Sequence, residues 1–342
     1  MAKFVTIGER LSTTAPAVNK AFTERDEEPI LKRAKQQLDA GAVYLDVNIG
    51  PAESDGEDLM KWAVQLLQSN FDNVPLALRV GADGVHVGQS DLACARALEE
   101  RGVEPDVVAG FSLGEVAALT FAGAFSDKKG FELVCRRAEL MAAAASSHPG
   151  AMRAVVKLDA ARVEELAAEV ACQADGDCWP VNYNSPMQTV VAGSPTACEK
   201  LDELVREAGG RAMKVAVSGA FHSPYMADAA AGLAAALAGN EPAATRVPVL
   251  ANRTAHPYPA DPKSAAELLS AQVANPVRWT DTIRAMAGDG VDAFVEVGPG
   301  KTLSGLVKRT LEGACVYNVE TPEELEATVS ALLARKEAEG GR

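Results

Sequence analysis

The sequence predicts an α/β chain built on parallel strands and interrupted once by an inserted βαββαβ unit. Three observations carry this expectation. Short apolar runs alternate with amphipathic stretches at both ends of the chain, the rhythm of parallel βα units. Between residues 150 and 219 that rhythm gives way to strand, helix, hairpin, helix, strand, the order of a split ferredoxin-like motif. The 342 residues, 48% of them hydrophobic and 23% charged, suffice to bury a large core without cross-links.

Taken in order, residues 4–8 read as a short buried strand. Residues 27–40 place Ile30, Leu31, Ala34 and Leu38 on one helical face, and Gly41 stops that helix. A strand at 43–48, a helix at 59–67 and a strand at 74–78 complete a βαβαβ segment. The glycine-rich stretch 81–91 holds a three-residue strand, 85–87, ending at Gly88-Gln89. A helix at 92–100 follows, and a strand at 106–110 runs straight into another helix. In the insert, 151–158 is a strand and Asp159 caps a helix reaching about 171. Residues 180–184 and 188–192 form a hairpin around Ser185-Pro186. Ser194-Pro195 is an N-cap with proline at the first helical position, the helix stops at Gly209-Gly210, and 211–217 is the last strand. Parallel α/β then resumes with a strand at 247–251, helices at 264–272 and 280–287, a strand at 293–297, a helix at 302–311 and a strand at 315–319. A final helix at 323–335 precedes a charged tail expected to fray.

Composition narrows the function. Lys and Arg number 33 against 47 Asp and Glu, a net charge of −14, which argues against nucleic acid or an anionic membrane as partner. An anionic substrate would need its own local cation. The six cysteines (94, 135, 172, 178, 198, 315) form no C-x-x-C pair and read as free thiols of a reducing cytoplasm, with no metal site and no cofactor expected. The first residues hold no apolar signal core, and the alanine-rich run 229–239 is far short of a membrane span. A cytoplasmic location is the expectation.

The sharpest local signal is Gly110-Phe111-Ser112-Leu113-Gly114, a G-x-S-x-G between an expected strand and an expected helix. A tight turn there pushes Ser112 Oγ out at the top of the sheet and aims the Leu113 N–H at a substrate oxyanion. Ser112 needs a base. His148 and His256 each precede a proline in loop-like sequence, whereas His222 follows the last strand of the insert, where a cleft between domains would lie; spacing hardly separates it from His86. A substrate carboxylate would need a guanidinium, and Arg136 and Arg137 both have apolar helical neighbours, so periodicity does not choose between them. Gly298-Pro299-Gly300-Lys301-Thr302 is not a phosphate loop, because Val295 stands where that motif needs glycine; it reads as a strand-to-helix turn.

From about Ala95 to Arg309 the chain resembles bacterial malonyl-CoA:acyl carrier protein transacylases. The resemblance rests on Gly110 to Glu115, Arg137-Ala138-Glu139-Leu140-Met141, Asn182-Tyr183-Asn184-Ser185-Pro186, Gly219-Ala220-Phe221-His222-Ser223-Pro224, Gln272 before Asn275-Pro276-Val277, and Glu296-Val297-Gly298-Pro299-Gly300. It implies Ser112 as nucleophile, His222 as its base, a backbone carbonyl near Gln272 in place of an aspartate, and Arg137 as clamp for the malonyl carboxylate. The implied partners are malonyl-CoA and acyl carrier protein. Phe221 before the histidine matches the malonyl rather than the methylmalonyl pattern. The family opens with a strand and a G-Q-G-x-Q loop whose glutamine helps build the oxyanion hole, and that opening is absent here. A βαβ unit from 85–87 to 106–110 would put Gln89 at the sheet edge of Ser112, which makes Gln89 the candidate stand-in.

Residues 1–78 instead resemble the start of corrinoid-dependent methyltetrahydrofolate methyltransferases, in Ile7-Gly8-Glu9-Arg10, Ala17 to Ala21 and Leu45 to Pro51, a family of TIM barrels. Arg79 falls where that family carries its pterin-binding aspartate. Residues 80–92 resemble a short piece of thiamine phosphate synthase, with Asp91 at a magnesium-ligand position. The expected architecture is therefore a partial TIM-barrel-like segment (1–78), an α/β-hydrolase-like acyltransferase domain (79–149 and 220–320), a ferredoxin-like subdomain (150–219), and a C-terminal helix and tail (321–342). The expected activity is malonyl transfer through a Ser112 acyl-enzyme. Competing readings are a methyl-transfer fragment using Asp46 and Asn48, a serine esterase, and an inert chain of joined segments.

Overall fold

A computed structural model describes residues 7–12, 16–39, 44–49, 56–71, 76–80, 85–172, 177–217 and 219–340. The chain divides into two compact units, Met1–His86 and Val87–Arg342.

The first unit runs β1 (Ile7–Ser12), α1 (Pro16–Thr23), α2 (Glu27–Asp39), β2 (Tyr44–Ile49), α3 (Gly56–Asn70) and β3 (Leu76–Val80). Its three strands are parallel in the order β1-β2-β3, as the βαβαβ reading requires. Helix α1 was not foreseen. It contributes Phe22 to a core shared with Ile30, Ala34, Val47, Leu59 and Leu67. The first strand was expected at 4–8; the described strand starts at Ile7, and residues 1–6 lie outside the described residues.

The division falls within α4 (Val85–Glu100), after which the second unit runs through β4 (Val108–Ala109), α5 (Gly114–Phe121) and α6 (Asp127–Ser147). The strand expected at 85–87 is thus the first turn of α4. Three residues cannot hold a strand against an adjoining helix that gains a hydrogen bond for each residue it adds. Next come β5 (Ala151–Val156), α7 (Ala160–Ala171), β6 (Cys178–Ser185), β7 (Gln188–Gly193), α8 (Pro195–Glu207) and β8 (Arg211–Lys214). These strands form one antiparallel sheet in the order β6-β7-β5-β8. Asp159 and Ser194 cap their helices as expected, each accepting from a backbone N–H of the first turn.

Alternation along the strands gives this sheet two apolar faces. Val155 and Val191 pack under α7 and α8 with Val163, Leu166 and Leu201. Met152, Val190 and Ala192 face the other way, toward Ala220 and Phe221, the residues just before His222. An isolated bridge from Pro149 to Gly219 ties the insert's two ends together.

The chain then continues through α9 (Ala227–Leu237), β9 (Val249–Leu250), α10 (Pro262–Ala271), α11 (Trp279–Gly288), β10 (Ala293–Val297), α12 (Thr302–Thr310), β11 (Cys315–Val319) and α13 (Pro322–Gly340). Helix α9 is the alanine-rich run. The tail expected to fray is helical to Gly340, consistent with its Ala, Leu, Lys and Glu content. In place of the single hydrolase-like sheet that was expected, the described strands form two parallel pairs, β4 with β9 and β10 with β11. Ala109 and Phe111 still share a core with Trp279, Phe294 and Val316. Among the described residues, no helix is long and apolar enough to cross a membrane, and no group of three or more His, Cys, Asp or Glu side chains is placed to hold a metal ion.

Candidate active site

The site begins where β4 ends. The chain turns through Gly110, Phe111 and Ser112 into α5, and Ser112 sits at φ 52°, a left-handed conformation that costs a side-chain-bearing residue on the order of 1–3 kcal/mol. Gly110 makes the turn possible, since a Cβ there would stand 1.9 Å from the Gly114 carbonyl oxygen. Gly114 carries no such constraint; a Cβ would meet nothing within 4 Å.

His222 arrives from the far side of the insert, also in the left-handed region at φ 62°. Its backbone N–H donates to the Val273 carbonyl at 3.0 Å. Its Nε2 lies 2.8 Å from Ser112 Oγ, and its Nδ1 lies 3.1 Å from the Gln272 carbonyl oxygen. A carbonyl only accepts, so Nδ1 carries the proton and Nε2 presents its lone pair to the serine hydroxyl. Burial, then the neighbouring Arg137 charge, lowers the imidazole pKa to about 4, so the ring is neutral at pH 7. The other histidines stand elsewhere: His148 caps the end of α6, His256 is exposed, and the His86 side chain lies outside the described residues.

The structure also separates the two arginines. Both lie on α6, the second helix after the elbow rather than the first. Arg136 is exposed and pairs with Glu139 at 2.9 Å. Arg137 is 6% exposed, and its Nη2 donates to Ser112 Oγ at 2.9 Å and to Gln272 Oε1 at 3.1 Å. Its Nε is buried without a partner among the described residues, a donor left over inside the site. Desolvation lowers its pKa to about 10, which leaves it charged at neutral pH. Gln272 has two jobs: its backbone carbonyl orients His222, and its side-chain Nε2 donates to the Ser112 carbonyl at 2.5 Å.

Three residues that the sequence reading did not single out complete the network. Asn252, just beyond β9, accepts from the Ser112 N–H at 2.6 Å and donates from Nδ2 to the Gly110 carbonyl at 2.7 Å. Glu115 is fully buried on α5, and its Oε1 accepts from the Asn252 N–H at 3.2 Å and from the Tyr258 hydroxyl at 2.5 Å. Burial pushes the Glu115 carboxyl up to about 7 against those hydrogen bonds. The available signal was a polar residue ending the apolar run Val249-Leu250-Ala251-Asn252, where a buried strand meets a sheet edge.

No described residue accepts from the Leu113 N–H. Gln89 belongs to α4, and its side chain lies outside the described residues; with 85–87 helical, the βαβ argument that put it beside Ser112 loses its first strand. Asp91 lies instead against Gly298, where a Cβ would be 1.8 Å from its Oδ1, and burial followed by the Glu296 charge raises its pKa to about 7. Gly298 and Gly300, both at φ 93°, shape the strand-to-helix turn expected there.

A strained serine elbow, a histidine held by a peptide carbonyl and a buried arginine on the serine hydroxyl define a site of the acyl-transferring serine class. Residues 84–335 match the family model described as acyl transferase domain, and the chain belongs to that family. It is 31% identical over 335 residues to the malonyl CoA-acyl carrier protein transacylase of Bacillus subtilis, covering 97% of this chain and 94% of that one. It is 33% identical over 270 residues to the protein of the same name from Synechocystis, covering 79% and 87%. The crystal structure of malonyl CoA-acyl carrier protein transacylase from Clostridium perfringens superposes with a TM-score of 0.72 at 29% identity, over 99% of this chain and 96% of that one.

Proposed function

We propose that this chain transfers a malonyl group from malonyl-CoA to the phosphopantetheine thiol of acyl carrier protein through a Ser112 acyl-enzyme. The observation that carries the reading is the convergence of His222 Nε2 at 2.8 Å and the buried Arg137 Nη2 at 2.9 Å on one serine hydroxyl. A base and a buried cation are then at hand for the two ends of a malonyl thioester.

His222 Nε2 accepts the hydroxyl proton as Ser112 Oγ attacks the thioester carbonyl. Arg137 moves from Oγ to the free carboxylate, where its planar fork matches two oxygens. The Leu113 N–H stabilises the oxyanion. As the tetrahedral intermediate collapses, the C–S bond breaks and the coenzyme A sulfur takes the proton from Nε2. The carrier thiol next gives its proton to Nε2, its sulfur attacks the malonyl ester, and Ser112 Oγ leaves with that proton. The Gln272 carbonyl holds the ring's orientation throughout.

The strand order β6-β7-β5-β8 supports a ferredoxin-like subdomain (150–219) set into the acyltransferase domain (79–149 and 220–320). For residues 1–78 the reading is a partial barrel-like segment, with Arg79 paired to Asn48 across β2 and β3; residues 321–342 form the C-terminal helix and tail. Intact-protein mass spectrometry after exposure to malonyl-CoA tests the function. A malonyl adduct on Ser112 that acyl carrier protein removes is expected, and an unmodified chain overturns the reading.

A further inference from the structure

We propose that Asn252 is the positioning residue of the nucleophile elbow and that Glu115 and Tyr258 hold it there, an inference that rests on Ser112 being the acylated residue. One planar side-chain amide spans the turn: Nδ2 donates to the carbonyl before Phe111 at 2.7 Å, and Oδ1 accepts from the N–H after it at 2.6 Å. A left-handed serine persists only where its surroundings over-determine it; this amide grips the two peptides that flank Phe111, the second of which carries the Ser112 N–H, while Gln272 Nε2 holds the Ser112 carbonyl. The match needs one donor and one acceptor in a single plane, which asparagine has and an ionised aspartate lacks.

Behind the amide stands a second layer. Asn252 is 0% exposed, and its own N–H donates to Glu115 Oε1, which also accepts from the Tyr258 hydroxyl. Glu115 lies on the first turn of α5, the helix the elbow starts. The connections therefore close a ring from the elbow through α5 and Glu115 to Asn252 and back to the elbow. Glu115 Oε2 has no partner among the described residues, a penalty that a buried carboxyl retains only against a compensating role. Burial holds its pKa near 7, so glutamine preserves the acceptor that matters. Because the Ser112 N–H is occupied by Asn252, it is not an oxyanion donor. The Asn252 amide is spent on the elbow and on Gln272, whose Nε2 donates to the Asn252 Oδ1 at 3.4 Å, so its role is to position Ser112.

The full-length chain tests this with Asn252→Asp, Tyr258→Phe and Glu115→Gln. Two readouts are followed: steady-state malonyl transfer, and labelling of Ser112 by an uncharged fluorophosphonate that ignores the malonyl carboxylate. Asn252→Asp is expected to lower kcat and the labelling rate together by at least about tenfold with KM within about twofold, since a small misplacement of a reacting atom is enough for that. Tyr258→Phe should fall about three- to tenfold with the same split, and Glu115→Gln should recover most of what Glu115→Ala loses. Unchanged kcat and labelling in Asn252→Asp overturn the proposal, as does a raised KM at constant kcat. If Asn252→Asp does not fold, Tyr258→Phe decides by the same split. A wild-type chain labelled by fluorophosphonate but not by malonyl-CoA would sink the malonyl reading alone, and the labelling rates of the variants would still decide this one.

Discussion

His222 donates its Nδ1–H to a peptide carbonyl, and Arg137 sits on the hydroxyl that faces the same ring. Burial and the Arg137 charge favour the neutral imidazole and outweigh the carbonyl hydrogen bond, which favours the charged ring. The base form persists down to about pH 4, so the acid limb of kcat/KM should fall near 4 rather than near 6.5. A limb near 6.5 in the pH profile of the free enzyme would show that the ring is more solvated than the structure has it. Ser112→Ala should abolish the malonyl adduct in mass spectrometry. Arg137→Ala should cut malonyl transfer by about tenfold or more while sparing acetyl transfer, because the fork serves the free carboxylate; equal losses for both acyl groups would make Arg137 a structural residue. The serine was legible because one short pattern encodes a turn. Periodicity could not choose between Arg136 and Arg137, since both have apolar neighbours three and four residues away; only the family resemblance singled out Arg137, and the packing of α6 buries it. Asn252 was out of reach for a different reason: its partner lies 140 residues upstream, and no local pattern records that contact.

At the scale of elements, the catalytic groups are held by close approaches of helices and turns. Gly130 on α6 meets Thr120 on α5, where a Cβ would stand 2.2 Å from Oγ1. Gly130→Ala should therefore wedge the helix of the elbow from the helix of Arg137, at about 1–3 kcal/mol in chemical denaturation. A smaller change than about 0.5 kcal/mol would mean that Thr120 simply rotates away. Most elements were legible where periodicity was long or a cap marked the start. The insert's element order came through, with Asp159 and Ser194 where capping chemistry put them, while strands expected at 151–158 and 211–217 end at Val156 and Lys214. The reading failed at 85–87, where two valines around His86 were too few to outweigh the helix behind them, and at α1, whose eight residues carry little pattern of their own.

For the whole molecule, two buried groups pull stability in opposite directions with pH. His222 has its pKa lowered from 6.5 to about 4, so between those values the unfolded chain binds more protons and stability rises with pH. Glu115 has its pKa raised from 4.5 to about 7, so over that window the folded chain binds more protons and stability falls as pH rises. The windows overlap between 4.5 and 6.5, and these two slopes offset each other there. Glu115→Gln removes one of them, and thermal melts should then show stability climbing more steeply with pH across that range than in the wild type; the same slope in both proteins would contradict the Glu115 shift. The first unit makes a separate prediction. With Arg79 where the resembled family carries an acceptor carboxylate, residues 1–78 within the full chain should show no saturable methyltetrahydrofolate binding in calorimetry, and micromolar binding would overturn that.

A base as weak as this imidazole also decides which nucleophile ends the reaction. A peptide carbonyl accepts from Nδ1, and burial beside Arg137 makes an imidazolium at His222 a poor place to leave a proton. A thiol, with a pKa of about 8.5, surrenders its proton far more readily than water, at about 15.7. A carrier thiol therefore asks less of His222 than a water molecule does, and transfer to the thiol is expected to outpace hydrolysis of the proposed acyl-enzyme; free malonate released as fast as malonyl is transferred would overturn this.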